Sequence, residues 1–206
     1  MIKQLKQYDS VFTKNHSHGD ENTKETFIYN DCGSPLILSA PHATASFVNK
    51  KEKKADLHTG ALVKYLGEIS NTSTLIRTKY TPYKELISDY VTEHHLQEHY
   101  FLDIHGFNQT LDFDICLGTG EFDDKDYPYL EEIISTAKKY RLKVIINHPN
   151  YMGKIGLTGR FQRTYKKPNI IQIELNMPLR NFYTHSDIVE NITVPFFLDI
   201  IELYKK

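Results

Sequence analysis

Two histidines and an aspartate are the residues best able to do chemistry together: His42, Asp56 placed 14 positions later, and His105 within the segment Phe101-Leu-Asp-Ile-His-Gly106. Each histidine follows an apolar run that reads as a buried strand, Leu36 to Ala40 and Tyr100 to Ile104. Both side chains are therefore expected at strand ends, where open α/β sheets gather their ligands. Two imidazoles and one carboxylate make the three-ligand set of a catalytic zinc, which leaves a position for water and substrate. Structural zinc instead takes four protein ligands, usually with cysteine. The chemistry such a set performs is hydrolysis.

Elements must then hold these groups. Asp56 precedes Leu57, Ala61, Leu62, Tyr65, Leu66 and Ile69, whose spacing predicts a helix over 55–69 with the carboxylate in its first turn. An aspartate there also serves as an ordinary helix start, favoured by the backbone dipole. Glu52, four residues earlier, is the competing acidic ligand, and Asp56 is preferred because a helix holds it more rigidly. Side chains alternate along a strand, so Asp103 shares a face with His105 and can orient its imidazole, while Gly106 permits close backbone approach. Asn169-Ile-Ile-Gln-Ile-Glu-Leu-Asn176 likewise puts Gln172, Glu174 and Asn176 on one face and Ile171, Ile173 and Leu175 on the other. On an edge strand that would be a solvated face. Facing a pocket, it makes Glu174 the candidate general base, with Asp103 beside it as the second catalytic candidate.

Arginine offers forked donors for a carboxylate, so Arg160, Arg163 and Arg180 are substrate-binding candidates, together with Asn147 and Tyr151 in the loop Asn147-His-Pro-Asn-Tyr151. Thr158 is expected to cap the short helix bearing the first two arginines. Two other histidine groups compare poorly with the main set. His95 and His99 stand four apart, but Leu96 occupies the place of the glutamate in an H-E-x-x-H pattern. His16 and His18 lie in a polar stretch that reads as solvated.

From Ser34 onward strand and helix patterns alternate: strand 35–40, helix 55–69, strand 73–78, helix 83–97, strand 99–104, strand 112–118, helix 127–140, strand 142–147, a short helix near 158–166, strand 169–175 and a final helix 185–204. Alternation of this kind predicts an α/β fold with a largely parallel sheet covered by helices. Pro195 inside the last helix predicts a kink or split there. Residues 1–30 are polar, and a peripheral ragged start is expected, with one short hairpin around Val11 and Phe27.

A chain of 206 residues suits one domain, and its 25 basic and 26 acidic residues nearly cancel. No long block of either sign argues for nucleic acid or an anionic membrane surface as partner, and Lys50, Lys51, Lys53 and Lys54 read as a solvated loop. Two cysteines, Cys32 and Cys116, exclude a disulfide framework and fit a reducing cytoplasm. The first residues lack the apolar core of a signal peptide, and no segment approaches the roughly 20 apolar residues of a membrane span, so a cytoplasmic protein is expected.

The ordered set Ser-Ala-Pro-His42, Lys54-Ala-Asp56-Leu-His-Thr-Gly60, Leu-Asp103-Ile-His105-Gly, Asn147 to Tyr151 and Gln172-Ile-Glu174-Leu-Asn resembles the N-formylglutamate amidohydrolase family, relatives of the zinc carboxypeptidases, over about residues 34–182. That resemblance implies a three-layer α/β/α sandwich with a mixed, largely parallel central sheet. It also implies zinc ligation by His42, Asp56 and His105, Glu174 as the catalytic carboxylate, and hydrolysis of the amide of a small N-acyl amino acid or short peptide. The chain lacks the Arg-Pro segment that such enzymes carry after the His-Gly, so fold and metal transfer further than substrate. A carboxypeptidase-like or deacylase activity shares the same metal chemistry. An α/β binding protein with merely structural histidines is the contrasting expectation, and it predicts no stabilisation by metal.

Overall fold

The computed structural model describes residues 1–48, 50–83, 86–107 and 111–205. In chain order the elements are α1 (Ile2–Phe12), α2 (Lys14–Ser17), β1 (Phe27–Asn30), β2 (Leu36–Ala40), β3 (Ser46–Val48), β4 (Lys51–Lys53), α3 (Thr59–Ser70), β5 (Ser73–Arg77) and α4 (Ile87–Glu93). They continue with β6 (Tyr100–Phe107), β7 (Ile115–Gly118), α5 (Leu130–Lys139), β8 (Val144–Ile146), α6 (Leu157–Tyr165), β9 (Ile170–Asn176), α7 (Ser186–Ile188) and α8 (Val194–Ile201).

Seven strands form one sheet in the order β1-β5-β2-β6-β9-β7-β8, and β3 pairs with β4 in a separate ribbon. The central strands β5, β2, β6 and β9 run parallel, while β1 is antiparallel to β5 and β7 to β9. This α/β sheet is mostly parallel, as the pattern predicts, and mixed, as the resemblance implies. Strand period two splits the core between its faces. Leu36, Leu38, Leu102, Ile104, Ile171 and Ile173 pack with α1, α3, α5 and α8, whereas Ile37, Phe101 and Ile170 pack with α4 and α6. Helices thus cover both faces, as a three-layer sandwich requires.

Most predicted elements occur with trimmed ends, and part of the expected helix 83–97 falls on residues 84 and 85, outside the described residues. Residues 1–30 depart from expectation. Val11 lies in α1 and Phe27 in β1, which pairs with β5, so no hairpin joins them. Leu5, Asp9 and Phe12 recur at helical spacing and are buried, a short signal that the surrounding lysines and glutamines dilute. Lys51 and Lys53 belong to β4, where a solvated loop is expected. The last helix passes from α7 to α8 through a π-helical stretch, Val189–Thr193. Pro195 has no N–H and would clash with the carbonyl of Asn191, so the wider turn just before it relieves the conflict without breaking the helix.

Candidate functional site

Across the centre of the sheet, residues in register make rows that change character along the strands. On the α4 and α6 face, Ile37, Phe101 and Ile170 form an apolar row. Next comes Ser39 beside Asp103 beside Gln172, and then His105 beside Glu174 beside Cys116. The polar groups accumulate at the carboxyl ends of parallel strands, the position from which open α/β sheets address a ligand. His42 emerges just past the end of β2, and its ring centroid lies 5.2 Å from that of His105.

The contacts of His105 assign roles to its neighbours. Its Nε2 is 3.2 Å from Asp103 Oδ2, and its Nδ1 is 3.2 Å from Asp56 Oδ2. Asp103 is fully buried, accepting hydrogen bonds from Ser39 Oγ at 2.8 Å and Thr158 Oγ1 at 3.1 Å. Asp103 is thus held in place against the ring of His105. Thr158, expected as a helix cap, instead lies inside α6 and spends its hydroxyl on this carboxylate. Burial opposes charge on His105, but the Asp103 carboxylate and the hydrogen bonds to Asp103 and Asp56 outweigh it, and its pKa is pushed up to about 10. Burial, aided by Lys53, drives His42 well below the ordinary histidine value. Its Nδ1 rests 3.0 Å from Ser46 Oγ, and in the tautomer whose Nδ1–H donates to that hydroxyl the Nε2 lone pair is open to a cation. Burial also works against charge on Asp56, yet Lys53 and the His105 hydrogen bond hold its carboxyl well below the usual carboxylate range. Glu174 is raised, chiefly by burial and against the pull of His105, and accepts a 2.8 Å hydrogen bond from Gln172.

Among the described residues no three His, Cys, Asp or Glu side chains stand ready as a metal cage. Asp56 and His105 instead contact each other directly. Their chemistry nevertheless fits a zinc-type cation. A neutral imidazole, an ionised carboxylate and a histidine whose second nitrogen is held by Asp103 are the donors and outer partner that zinc sites use. The two carboxylates that stabilise positive charge on His105 would equally stabilise a dication.

Asp56 reaches this position by a route different from the expected one. The helix begins at Thr59, so Asp56 lies three residues before it, in a loop whose His58 is left-handed at φ 72°. Glu52 turns to His18 at 3.3 Å, whereas Asp56 faces His105. The rival His95 and His99 share no helix face, because α4 ends at Glu93.

A cavity of about 280 Å³ opens over these groups, lined by His42, His105, Gln172 and Glu174 and by the cations Lys53, Arg77 and Arg160. Of the three arginines picked from sequence, only Arg160 borders it. Arg163 points outward to Glu121 at 2.6 Å, and Arg180 is buried with its guanidinium on the carbonyls of Leu175, Leu57 and Phe107. Asn147 braces the β7 end through Thr119 and Asp124, and Tyr151 packs beside Phe107. Neither lines the cavity, whereas Asn150 between them does. Sequence reasoning missed Lys53 and Arg77. The available signal for Arg77 was its charge at the end of a strand; the structure buries it with the rest of β5, its Nε donating to Pro41 O at 3.0 Å.

No protein-family model matches the sequence, and no curated protein sequence matches it. Solved structures do share its fold. An N-formylglutamate amidohydrolase from Ralstonia eutropha JMP134 superposes with a TM-score of 0.56 at 14% identity, covering 87% of this chain and 98% of that one. A bacteriophage poly-gamma-glutamate hydrolase gives 0.55 at 14% identity over 90% of this chain and 89% of its own. A zinc-free apo form of YndL gives 0.53 at 14% identity over 89% and 91%. At such identities the likeness is one of fold.

Proposed function

We propose that this chain is a zinc-dependent hydrolase of carbon–nitrogen amide bonds, acting on an N-acylated or peptide-linked acidic amino acid. The observation that carries this reading is the meeting of His42, His105 and Glu174, from three separate segments, at one cavity over the strand ends, with Asp56 from a fourth in contact with His105 behind the cavity wall. Neighbours of the same fold named as N-formylglutamate amidohydrolase and poly-gamma-glutamate hydrolase favour amides of an acidic amino acid, and zinc is the metal that the apo form of YndL lacks.

His42, Asp56 and His105 would hold the metal, which when bound supplies Lewis acidity toward a carbonyl oxygen and toward water. Glu174 takes the proton of the attacking water and delivers it to the leaving nitrogen, a task suited to a carboxyl whose proton affinity burial has raised. Gln172 fixes that carboxyl by its hydrogen bond, and Asp103 fixes the ring of His105. Arg160, Arg77 and Lys53 give the cavity wall a positive charge that holds a substrate carboxylate and orients the scissile bond. The two cysteines are free thiols, in keeping with a reducing cytoplasm as the site of action.

The test is metal content in protein purified without an affinity histidine tag, with wild type compared with His105→Ala. Roughly one zinc per chain in wild type, lost in the variant, is expected. No metal in either protein after incubation with zinc would refute the mechanism and favour a non-catalytic binding protein.

A further inference from the structure

Three consecutive residues carry Asp56 into the site, and each is tied to a different part of the fold. Asp56 N donates to His42 O at 2.8 Å, joining the two ligand segments through their backbones. Leu57 O accepts from the buried guanidinium of Arg180, which also bonds Phe107 O at 3.0 Å and Leu175 O at 3.2 Å, the ends of β6 and β9. His58, at φ 72°, sets its Nδ1 3.1 Å from Oδ2 of Asp9, a fully buried residue of α1. A left-handed backbone is costly for a non-glycine residue and persists where its surroundings over-determine it.

Two glycines keep room for this arrangement. A Cβ on Gly106 would stand 2.3 Å from Cζ of Arg180, so only glycine lets the guanidinium cross the end of β6. A Cβ on Gly60 would stand 2.6 Å from Cβ of Ala43 and 3.0 Å from the ring of Phe12 in α1. Helix α1 thus packs against the segment after Asp56, which in turn packs against the segment after His42. A buried carboxylate such as Asp9 costs several kcal/mol in desolvation unless it is paired, so a generic packing position would favour an apolar residue there.

We propose that Asp9 and Arg180 are positioning residues that fix the Asp56-Leu57-His58 segment and so set the affinity of the metal centre, making α1 part of the site although it supplies no ligand. This rests on the zinc reading above. The experiment measures zinc affinity by competition with a chromophoric chelator, alongside melting of the zinc-free protein in EDTA. The variants are Asp9→Leu, which keeps the volume, Asp9→Asn, which keeps an acceptor for the imidazole N–H, and Arg180→Lys, which cannot reach three carbonyls at once. Asp9→Leu and Arg180→Lys are expected to weaken zinc binding by about 10–100-fold, the usual effect of losing an outer partner, and Asp9→Asn to recover most of it. Zinc affinity within about twofold of wild type in folded Asp9→Leu and Arg180→Lys would leave the two residues a purely structural role and overturn the proposal. Wild type that binds no zinc would overturn the functional reading itself, and this inference with it.

Discussion

Replacing Asp103 by asparagine isolates the electrostatic control of His105 with little change of shape. The carboxylate has three partners: Ser39 Oγ at 2.8 Å, Thr158 Oγ1 at 3.1 Å and His105 Nε2 at 3.2 Å. An amide oxygen still accepts from Ser39, and the Thr158 hydroxyl can rotate to accept from the amide nitrogen. The contact with His105 reverses as well, and its ring cannot adapt by a simple rotation, because the new N–H donor requires an acceptor at Nε2. The imidazole proton then moves to Nδ1, the nitrogen that faces Asp56 and that the proposed function requires as a metal donor. The expected loss is about 10–100-fold in zinc affinity, or roughly 1.4–2.7 kcal/mol. Zinc-free protein should lose one charge-assisted hydrogen bond, about 1.5–3 kcal/mol, seen as a melting point lower by roughly 3–12 °C for a chain of this size. Chelator competition reads the first quantity and thermal denaturation in EDTA the second. An Asp103→Asn protein that melts lower yet binds zinc within about twofold of wild type would refute the argument that Asp103 selects the tautomer of His105.

One further outcome tests the anion site beside this centre, and another the core on the opposite face of the sheet. Arg160→Ala should raise KM for acidic substrates about tenfold, whereas Arg163→Ala, whose guanidinium pairs with Glu121 outside the cavity, should leave it unchanged; equal effects would place the anion site elsewhere. Burial raises Tyr127 and Tyr204 well above the ordinary tyrosine value, so the folded state keeps protons that the unfolded state releases above pH about 10. Their contribution to stability should be flat below that pH and fall as pH rises through the alkaline range. Tyr204→Phe should shallow that fall, and an unchanged slope in urea titrations between pH about 9 and 11 would count against it.

Local chemistry determined a great deal of this protein. Strand runs, helical spacing and their alternation gave the α/β architecture, because each depends on residues within a few positions of one another. Side-chain alternation also placed Asp103 with His105, and Gln172 with Glu174, on common faces before any partner strand was known. Which of Asp56 and Glu52 faces His105 was not a local matter. It rests on His18 drawing Glu52 away and on a backbone bond from Asp56 to His42, contacts between segments whose approach no spacing encodes. The three arginines looked alike in sequence, yet folding put Arg160 at the cavity, Arg163 on the surface and Arg180 beneath the Asp56 loop. Helix α1 was obscured because its apolar stripe is narrow, and the reversed direction of β7 because a strand's pattern carries its period but not its orientation. Tertiary packing decided these matters, since burial of a charge is tolerated only where distant segments supply its partners.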